Sequence, residues 1–347
     1  MKNRVFIQAA EQISMQQPMS LQWMNSPECY EGELYVRSVD PVFRNYISGN
    51  EVRRMGSVMK RALVTSLKVL SETGIEHPDA IITGTCFGCM DYTNRFLNDM
   101  IENGEQTLSP TYFMQSTHNT VGSTLGIYTK THGYNATYSH GGTSFELAVF
   151  DACMQMWLGK IRTALVGGHD EMIESFYSLF QKTGYVGIPG MVPCGEVSVS
   201  MLLAAEKSAN TLCELAGICI CHRPTIDELR QKIEKMLAEA GLSLPEVGAV
   251  MTGINGNVKN DAFYHTVVDQ LFKDKLIMHY KHLFGENFTA PAFSLYASAH
   301  CLHLGIVPPV LRVSDAEGKE ERQIDNLLLI NQEEGKDVSV ILLKRTL

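Results

Sequence analysis

The chain has 347 residues and a formal net charge of −9, and 45% of its residues are hydrophobic, which is typical of a globular protein. This length can bury a substantial core, either in one large domain or in two packed halves. The acidic balance argues against general nucleic-acid binding, because that function depends on basic surface that neutralises phosphates. We therefore expect no nucleic-acid partner.

The N-terminal residues turn polar within a few positions, and no later stretch has the apolar length that crosses a bilayer. We expect a cytoplasmic protein without membrane insertion. Nine cysteines at irregular spacing, several of them inside apolar runs, predict reduced buried thiols rather than a disulfide framework. Cys86 and Cys89 form a CxxC pair, but the sequence lacks the spacing of a zinc ribbon or finger, so we expect no metal and no cofactor.

Short apolar segments and helical patterns alternate along the first half. Residues 52–70 carry apolar side chains at helical spacing with basic side chains between them. Between residue 8 and about residue 50 the sequence is polar and interrupted by proline, which indicates loops. The first half thus predicts, in chain order, a strand at 5–7, a helix at 52–70, a strand at 80–84, a helix at 92–101, a helix from 143, and strands at 163–168 and 197–205.

The second half repeats this plan. Gly74 precedes a Thr-Gly strand end at Gly84, as Gly241 precedes a Thr-Gly strand end at Gly253. Alternating short apolar strands and helices predict α/β layers. The second half predicts a helix at 226–240, a strand at 249–253, a helix at 262–271, a nearly uncharged helix at 290–303, and a strand at 338–343.

A glycine-rich turn at 139–142 leads into a mostly apolar helix. Thr143, followed three residues later by Glu146, fits a capping box. Asp151 is the only other charged residue before the helix ends, which predicts a buried helix. Because a helix N-terminus gathers unpaired N–H groups and partial positive charge, such a turn suits a thiolate, an oxyanion or a phosphate. The alternative is a well-capped core helix that carries no chemistry.

The order and spacing of several short motifs resemble the thiolase fold. These motifs are the Ala80–Gly84 strand, the helix start at 119–122, the glycine turn before the buried helix, Gly195-Glu196, and the strand at 305–309. Within the fold, the match is to the β-ketoacyl synthases of fatty-acid and polyketide assembly, and it covers nearly the whole chain.

The resemblance implies an α/β protein with two duplicated βαβαβαββ halves, which form a five-layered αβαβα body. Residues 1–207 would form the N-terminal half, with the dimerisation surface and the turn that carries the nucleophile in the family. Residues 208–347 would form the C-terminal half.

The resemblance also implies that the catalytic residues are missing. Family members attack the acyl thioester with a cysteine at the start of the first buried helix and use two histidines from the second half. Here the cysteine position falls on Gly142, and the histidine positions fall on Gly253 and Glu286, so these three positions are vestigial. The family lysine is retained as Lys281, for which we expect an ion pair with Glu286 or Asp261.

Further residues are expected near the vestigial site. The family's Gly-Phe-Gly-Gly loop is replaced by residues 331–336. His118 and Asn119 are expected to approach both the site and the dimer interface. Ser144 and His140 flank the turn and could in principle form a nucleophile and its base, although the sequence shows no evident acidic residue to orient the imidazole.

A ketosynthase-like chain without these residues resembles the chain-length factors. These are inactive subunits that dimerise with an active β-ketoacyl-ACP synthase in type II fatty-acid or polyketide biosynthesis, with an aryl polyene as one product class. The resemblance implies a heterodimer with the active subunit or a homodimer, and contact with acyl carrier protein directly or through the partner. The alternatives are an acyltransferase or hydrolase that uses Ser144 or a cysteine, and a non-catalytic protein that binds acyl thioesters.

Overall fold

The computed structural model describes residues 4–105, 108–313 and 324–346. The strands in this part of the chain are β1 (Phe6–Ile13), β2 (Ala80–Gly84), β3 (Tyr134–Tyr138), β4 (Thr163–Asp170), β5 (Val197–Ala204), β6 (Cys213–His222), β7 (Ala249–Thr252), β8 (Leu276–His279), β9 (Asn326–Glu333) and β10 (Asp337–Lys344). The α-helices are α1 (Gly49–Val52), α2 (Ser57–Thr73), α3 (Met90–Asn103), α4 (Pro110–Ser116), α5 (Thr120–Thr129), α6 (Ser144–Trp157), α7 (Glu174–Thr183), α8 (Ile226–Glu239), α9 (Val258–Leu271), α10 (Lys281–Phe284) and α11 (Pro291–Leu304).

The ten strands join in one hydrogen-bonded sheet, in the order β3-β2-β4-β5-β1-β6-β10-β9-β7-β8. From either end towards the middle, the five strands of each half have the same order: third, second, fourth, fifth, first. The two halves meet where β1 and β6 pair antiparallel, with Phe6 opposite Glu214 and Ile7 opposite Cys213. The repeat in the sequence is therefore a repeat of topology.

The layers follow from what each helix covers. α6 and α11 contact each other and strands of both halves, so they form the central layer. α2 and α5 pack on the outer face of the first half of the sheet, and α8 and α9 pack on the outer face of the second half. The result is the predicted αβαβα arrangement of the thiolase-like fold.

Two glycines let the central helices approach the first half of the sheet closely. A Cβ atom on Gly84 would lie 2.6 Å from Cα of Phe145, at the start of α6. A Cβ atom on Gly168 would lie 2.9 Å from the Cβ atom of Ala292 on α11. Larger residues would push both helices away from the strands, so these glycines fix where α6 and α11 begin.

The first strand is longer than predicted. β1 continues to Ile13, and all eight of its residues are buried. Its polar side chains indicated a loop, but they are paired inside the protein: Gln8 Nε2 donates to the carbonyl of Glu206 (2.7 Å) and Gln12 Nε2 donates to the carbonyl of Gln17 (2.8 Å). Buried amides are tolerated when they are hydrogen-bonded, which is why polarity misplaced the strand end.

The predicted helix at 52–70 is wrong at its start. α1 ends at Val52 and α2 begins at Ser57. A Cβ atom on Gly56, the residue before α2, would lie 2.6 Å from the ring of Tyr92 on α3. The helical stretch is therefore broken before Ser57, where the backbone at Gly56 passes close to the Tyr92 ring.

Candidate functional site

A cavity of about 530 Å³ lies between the two halves, at the N-terminal end of α6. The first half contributes Gly142 and the segment 183–185 after α7. The second half contributes amide side chains, two lysines, and the carboxylates of Glu286, Glu333 and Glu334. Two of the three positions that the resemblance predicts to be vestigial, Gly142 and Glu286, therefore line the same cavity.

The turn before α6 is closed by its own hydroxyl groups. α6 begins at Ser144 with Thr143 as its N-cap residue, but the predicted capping box is wrong. Thr143 Oγ1 donates to the carbonyl of His140 (3.1 Å) instead of accepting an N–H of the helix. Ser144 Oγ donates to the carbonyl of Gly141 (2.7 Å) and accepts from the N–H of His140 (2.8 Å). Ser144 is fully buried and does not line the cavity.

Glu146, the second residue of the predicted box, binds the other half of the protein. Its Oε1 accepts hydrogen bonds from Asn331 Nδ2 on β9 (2.7 Å) and Ser339 Oγ on β10 (2.8 Å). Burial raises the pKa of this carboxyl to about 7, although the hydrogen bonds from Ser339 and Asn331 oppose the rise. Glu146 therefore ties the central helix to the second half of the sheet.

The backbone of Gly142, at the predicted cysteine position, makes a hydrogen bond through both its N–H and its carbonyl group. Its N–H donates to Oε2 of Glu333 at 2.6 Å, and its carbonyl accepts from Asn331 Nδ2 at 3.1 Å. Both partners lie on β9. The position offers no side chain, and its polar backbone atoms are occupied by the protein itself.

The phenol of Tyr264 fills the space beside Gly253, the predicted first histidine position. A Cβ atom there would lie 2.6 Å from Tyr264 Oη and 3.2 Å from Lys281 Cε. Tyr264 is fully buried; its hydroxyl donates to Asn331 Oδ1 (3.3 Å) and accepts from the N–H of Gln332 (3.1 Å). Burial raises the pKa of Tyr264 well above its ordinary value, so the phenol is neutral and cannot serve as a base.

A buried ion pair lies at Glu286, the predicted second histidine position. Lys281 Nζ lies 2.9 and 2.8 Å from the two carboxylate oxygens of Glu286, and Asn255 Nδ2 donates to Oε2 of Glu286 at 2.5 Å. Of the two expected partners, Lys281 thus takes Glu286. Asp261 instead accepts from the N–H groups of Asn255 (3.1 Å) and Gly256 (2.8 Å). The charges of Lys281 and Glu286 cancel locally.

The amides that line the cavity are engaged in holding its walls. Asn257 accepts two N–H groups of the first turn of α9. Gln332 Nε2 donates to the carbonyl and the side-chain oxygen of Asn260, at 2.9 and 2.8 Å. Asn287 Nδ2 donates to the carbonyl of Gly195 at 2.7 Å. These bonds hold the amide side chains in fixed positions along the cavity walls.

One wall of the cavity is aromatic. The rings of Tyr185 and Phe288 are stacked, with centroids 4.8 Å apart and planes inclined by 5°. Phe87 meets Phe288 edge-on at 4.9 Å, and Phe180 lies 5.3 Å from Phe87. Such a cluster supplies packing and shape, and its only polar side-chain atom is the hydroxyl oxygen of Tyr185.

The remaining residues expected near the site lie outside the cavity. His118 and Asn119 are exposed in the connection between α4 and α5 and do not line it. His140 is exposed as well, and its Nε2 lies 3.7 Å from Oδ2 of Asp337. The expectation that His140 has no acidic neighbour is therefore wrong, because the fold brings β10 to the turn. Ser144 Oγ nevertheless meets the backbone N–H of His140.

No cysteine lines the cavity among the described residues. All nine cysteines are free thiols. Burial, reinforced by the negative charge of Asp170, raises the pKa of Cys86 well above its ordinary value, and burial together with Glu171 does the same for Cys89. Neither thiol is activated as a nucleophile.

Within 4–105, 108–313 and 324–346, no cluster of three or more His, Cys, Asp or Glu side chains could hold a metal ion. Over the same residues, no helix combines the length and apolar character that a membrane span requires.

Sequence reasoning missed Glu333 and Tyr264. The replacement of the family's glycine-rich loop at 331–336 was the available signal for Glu333, since it placed carboxylates where the family has glycines. Nothing local to Tyr264 signalled its role, because its hydroxyl reaches position 253 only through the packing of α9 on β7 and β9.

Comparisons with known proteins identify similar sequences and similar folds. A sequence model described as "Beta-ketoacyl synthase, N-terminal domain" matches residues 22–239. The structure is similar to that of the ishigamide ketosynthase/chain length factor, with a TM-score of 0.82 and 16% identity over 100% of both chains. It is also similar to AntDE:AntF, a type II polyketide acyl-carrier protein in complex with its ketosynthase bound to the hexaketide, with a TM-score of 0.79 and 13% identity over 100% of both chains.

A further similar structure is the ketosynthase ApeO in complex with its chain length factor ApeC from Xenorhabdus doucetiae. Its TM-score is 0.79 and its identity 15%, over 99% of this chain and 98% of that chain. A search of curated protein sequences finds no match. At these identities, the structural similarity establishes the fold.

Proposed function

The chain belongs to the β-ketoacyl synthase family, and we propose that it is a non-catalytic subunit of the chain-length-factor type. It pairs with an active β-ketoacyl-ACP synthase in type II fatty-acid or polyketide biosynthesis. The observation that carries the proposal is the state of the three catalytic positions: Gly142 has no side chain, Tyr264 fills the space beside Gly253, and Glu286 is locked by Lys281. Gly142 offers no nucleophile for an acyl-enzyme, and the Tyr264 hydroxyl and the Lys281–Glu286 pair are each hydrogen-bonded to groups of the protein itself.

The alternative of a non-standard nucleophile has little support. Ser144 Oγ is buried and makes two hydrogen bonds within its own turn. Cys86, in the loop that follows β2, is half-buried, and its raised pKa disfavours the thiolate form. A hydrolase or acyltransferase would need at least one such group in the cavity.

The first half offers a surface for the partner. β3 is at the edge of the sheet and pairs only with β2 among the described strands, so one row of its backbone N–H and C=O groups is open. Exposed apolar side chains lie on β3 and on the two helices that contact it: Ile127 on α5, Tyr134 on β3 and Met154 on α6. We call these three residues the edge surface. An apolar edge of this kind suits strand-to-strand association.

The edge surface gives the two halves different tasks under this proposal. Residues 1–207 dimerise through β3, and residues 208–347 close the vestigial site from the other side. The acyl carrier protein delivers its acyl group to the active site of the partner, because the cavity of this chain has no nucleophile that would accept an acyl group.

Co-expression tests the assembly. The chain is produced with each ketosynthase encoded near its gene that retains the cysteine and two histidines, and only the ketosynthase carries the affinity tag. Native mass spectrometry of the purified material is expected to show a one-to-one heterodimer. A chain that is recovered only as a separate homodimer or monomer contradicts the proposal.

A matched pair of variants locates the interface. Ile127→Asp places a charge on the edge surface and is expected to lower the recovered heterodimer about tenfold or more, because a buried unpaired carboxylate is costly. Val258→Asp, on α9, changes a residue of similar exposure (83% against 80%) and leaves recovery unchanged. Equal recovery of both variants would place the interface elsewhere.

A further inference from the structure

We infer that the carboxylate of Glu333 is an internal plug: it occupies the space in front of Gly142 and keeps acyl thioesters and free carboxylates out of the cavity. The inference extends the proposed function, because it concerns how the vestigial site is closed, and it is tested without any partner subunit. It rests on contacts between the turn before α6 and the end of β9.

The backbone around Glu333 is held in place by hydrogen bonds within the second half of the protein. Glu333 is the last residue of β9, and its carbonyl accepts the N–H of Lys336 at 2.8 Å across the tight connection to β10. The neighbouring Gln332 is anchored to Asn260 on α9 by two hydrogen bonds. The side chain of Glu333 therefore projects from a fixed backbone rather than from a loose loop.

The turn is shaped to receive it. Oε2 of Glu333 accepts the N–H of Gly142 at 2.6 Å. A Cβ atom on Gly141 would collide with the carboxylate of Glu333, and one on Gly142 would lie 3.2 Å from Oε2. The two glycines and the carboxylate fit one another, so the space that a catalytic side chain would use at this turn is filled from the opposite half of the protein.

Charge makes the closure selective. A carboxylate is stabilised at the N-terminus of a helix of 14 residues such as α6, where N–H groups lack partners. The nearest buried cation of the cavity, Lys281, is already neutralised by Glu286. An approaching carboxylate or developing oxyanion thus meets a negative charge at Gly142 instead of a free N–H group.

A cysteine introduced at position 142 tests whether the Glu333 carboxylate closes this turn. Gly142→Cys puts a thiol at the vestigial position, and its alkylation by iodoacetamide is followed by peptide mass spectrometry, which separates position 142 from the native cysteines. We expect alkylation about tenfold faster in Gly142→Cys/Glu333→Gln than in Gly142→Cys, because removal of the adjacent carboxylate lowers the thiol pKa by about one unit.

The matched control is Glu334→Gln. Glu334 lies next to Glu333, lines the same cavity and carries the same charge, but it pairs with Lys336 and makes no bond to Gly142. Combined with Gly142→Cys, it is expected to leave the alkylation rate within about twofold. Equal rates in the Glu333 and Glu334 double variants would overturn the inference.

A second measurement needs no change at position 142. Hydrogen–deuterium exchange of the segment 140–144 is compared in the wild type, Glu333→Gln and Glu334→Gln. The Glu333 variant is expected to exchange the Gly142 amide faster, since its charged acceptor is lost, and the Glu334 variant is expected to match the wild type. Unchanged exchange in the Glu333 variant contradicts the plug, whether or not the chain pairs with a ketosynthase.

Discussion

The two walls of the cavity differ in what they contribute. The wall from the first half is made of backbone and uncharged groups: Gly142 and the segment 183–185. The wall from the second half carries the charged groups, among them Lys281, Glu286 and Glu333. The halves share one topology, so the difference lies in side chains alone and not in architecture.

This comparison explains why the site is closed although its framework is intact. The first wall keeps the helix start and the glycine turn, which the fold needs for packing. The second wall supplies the charged groups. Lys281 and Glu286 pair with each other, and Glu333 accepts the N–H of Gly142 in the first wall. One substitution at Gly142 is therefore not expected to restore reactivity, because Glu333 fills the space beside Gly142 and Tyr264 fills the space beside Gly253.

The largest expected effect comes from breaking the ion pair of the second wall. Lys281→Met leaves the Glu286 carboxylate buried without its cation and is expected to lower the free energy of unfolding by about 3–5 kcal/mol. Urea unfolding measures the loss, and adding Glu286→Gln is expected to recover most of it. As a control, Lys68→Met removes the partly exposed pair with Glu72 and costs less than about 1 kcal/mol.

The next effect depends on pH and concerns the link between the halves. The pKa of Glu146 is raised from 4.5 to about 7 by burial, so the folded protein holds this proton more tightly than the unfolded chain does. Its stabilising contribution is present below pH 4.5 and is lost as the pH rises through about 7. The loss is about 3 kcal/mol.

Glu146→Gln isolates this contribution. The difference in unfolding free energy between the variant and the wild type is measured by urea unfolding at several values between pH 5 and pH 8. The variant is expected to gain relative stability as the pH rises. A difference that is constant over this range would contradict the assigned pKa.

A smaller effect separates the two vestigial glycines. Gly253→Ala brings a methyl group against the fixed hydroxyl of Tyr264 and is expected to cost about 1–3 kcal/mol. Gly142→Ala brings a methyl group to 3.2 Å from Oε2 and 3.4 Å from Cβ of Glu333, which are wider contacts, and is expected to cost less than about 1 kcal/mol. Thermal unfolding of both variants checks the order. A reversed order would mean that Tyr264 yields more easily than Glu333.

Much of the fold could be predicted from the sequence because its apolar residues recur at clear helix or strand spacing. The Ala80–Gly84 strand has the predicted bounds, and the two mostly apolar helices predicted from 143 and at 290–303 are α6 and α11. The strands β3, β6, β8 and β9 were not predicted. β3 is partly exposed and polar, and β8 has only four residues, so neither gives a clear alternation.

The site was harder to predict than the fold. The motif positions brought Gly142 and Glu286 to one cavity, and the expected partner of Lys281 was among the two proposed. The contact between Gly142 and Glu333 joins residues 191 positions apart. Such contacts depend on how the two halves pack, and a local pattern does not contain that information. The capping box failed for the same reason, since Glu146 binds Asn331 and Ser339 on the other half.

The central claim is that this chain takes part in acyl-chain assembly without forming an acyl-enzyme. The most direct test is intact-mass analysis of the purified heterodimer after incubation with acyl carrier protein loaded with an acyl group. The account predicts an acyl adduct on the ketosynthase subunit and an unmodified mass for this chain. A stable acyl adduct on this chain, in the complex or alone, would contradict it.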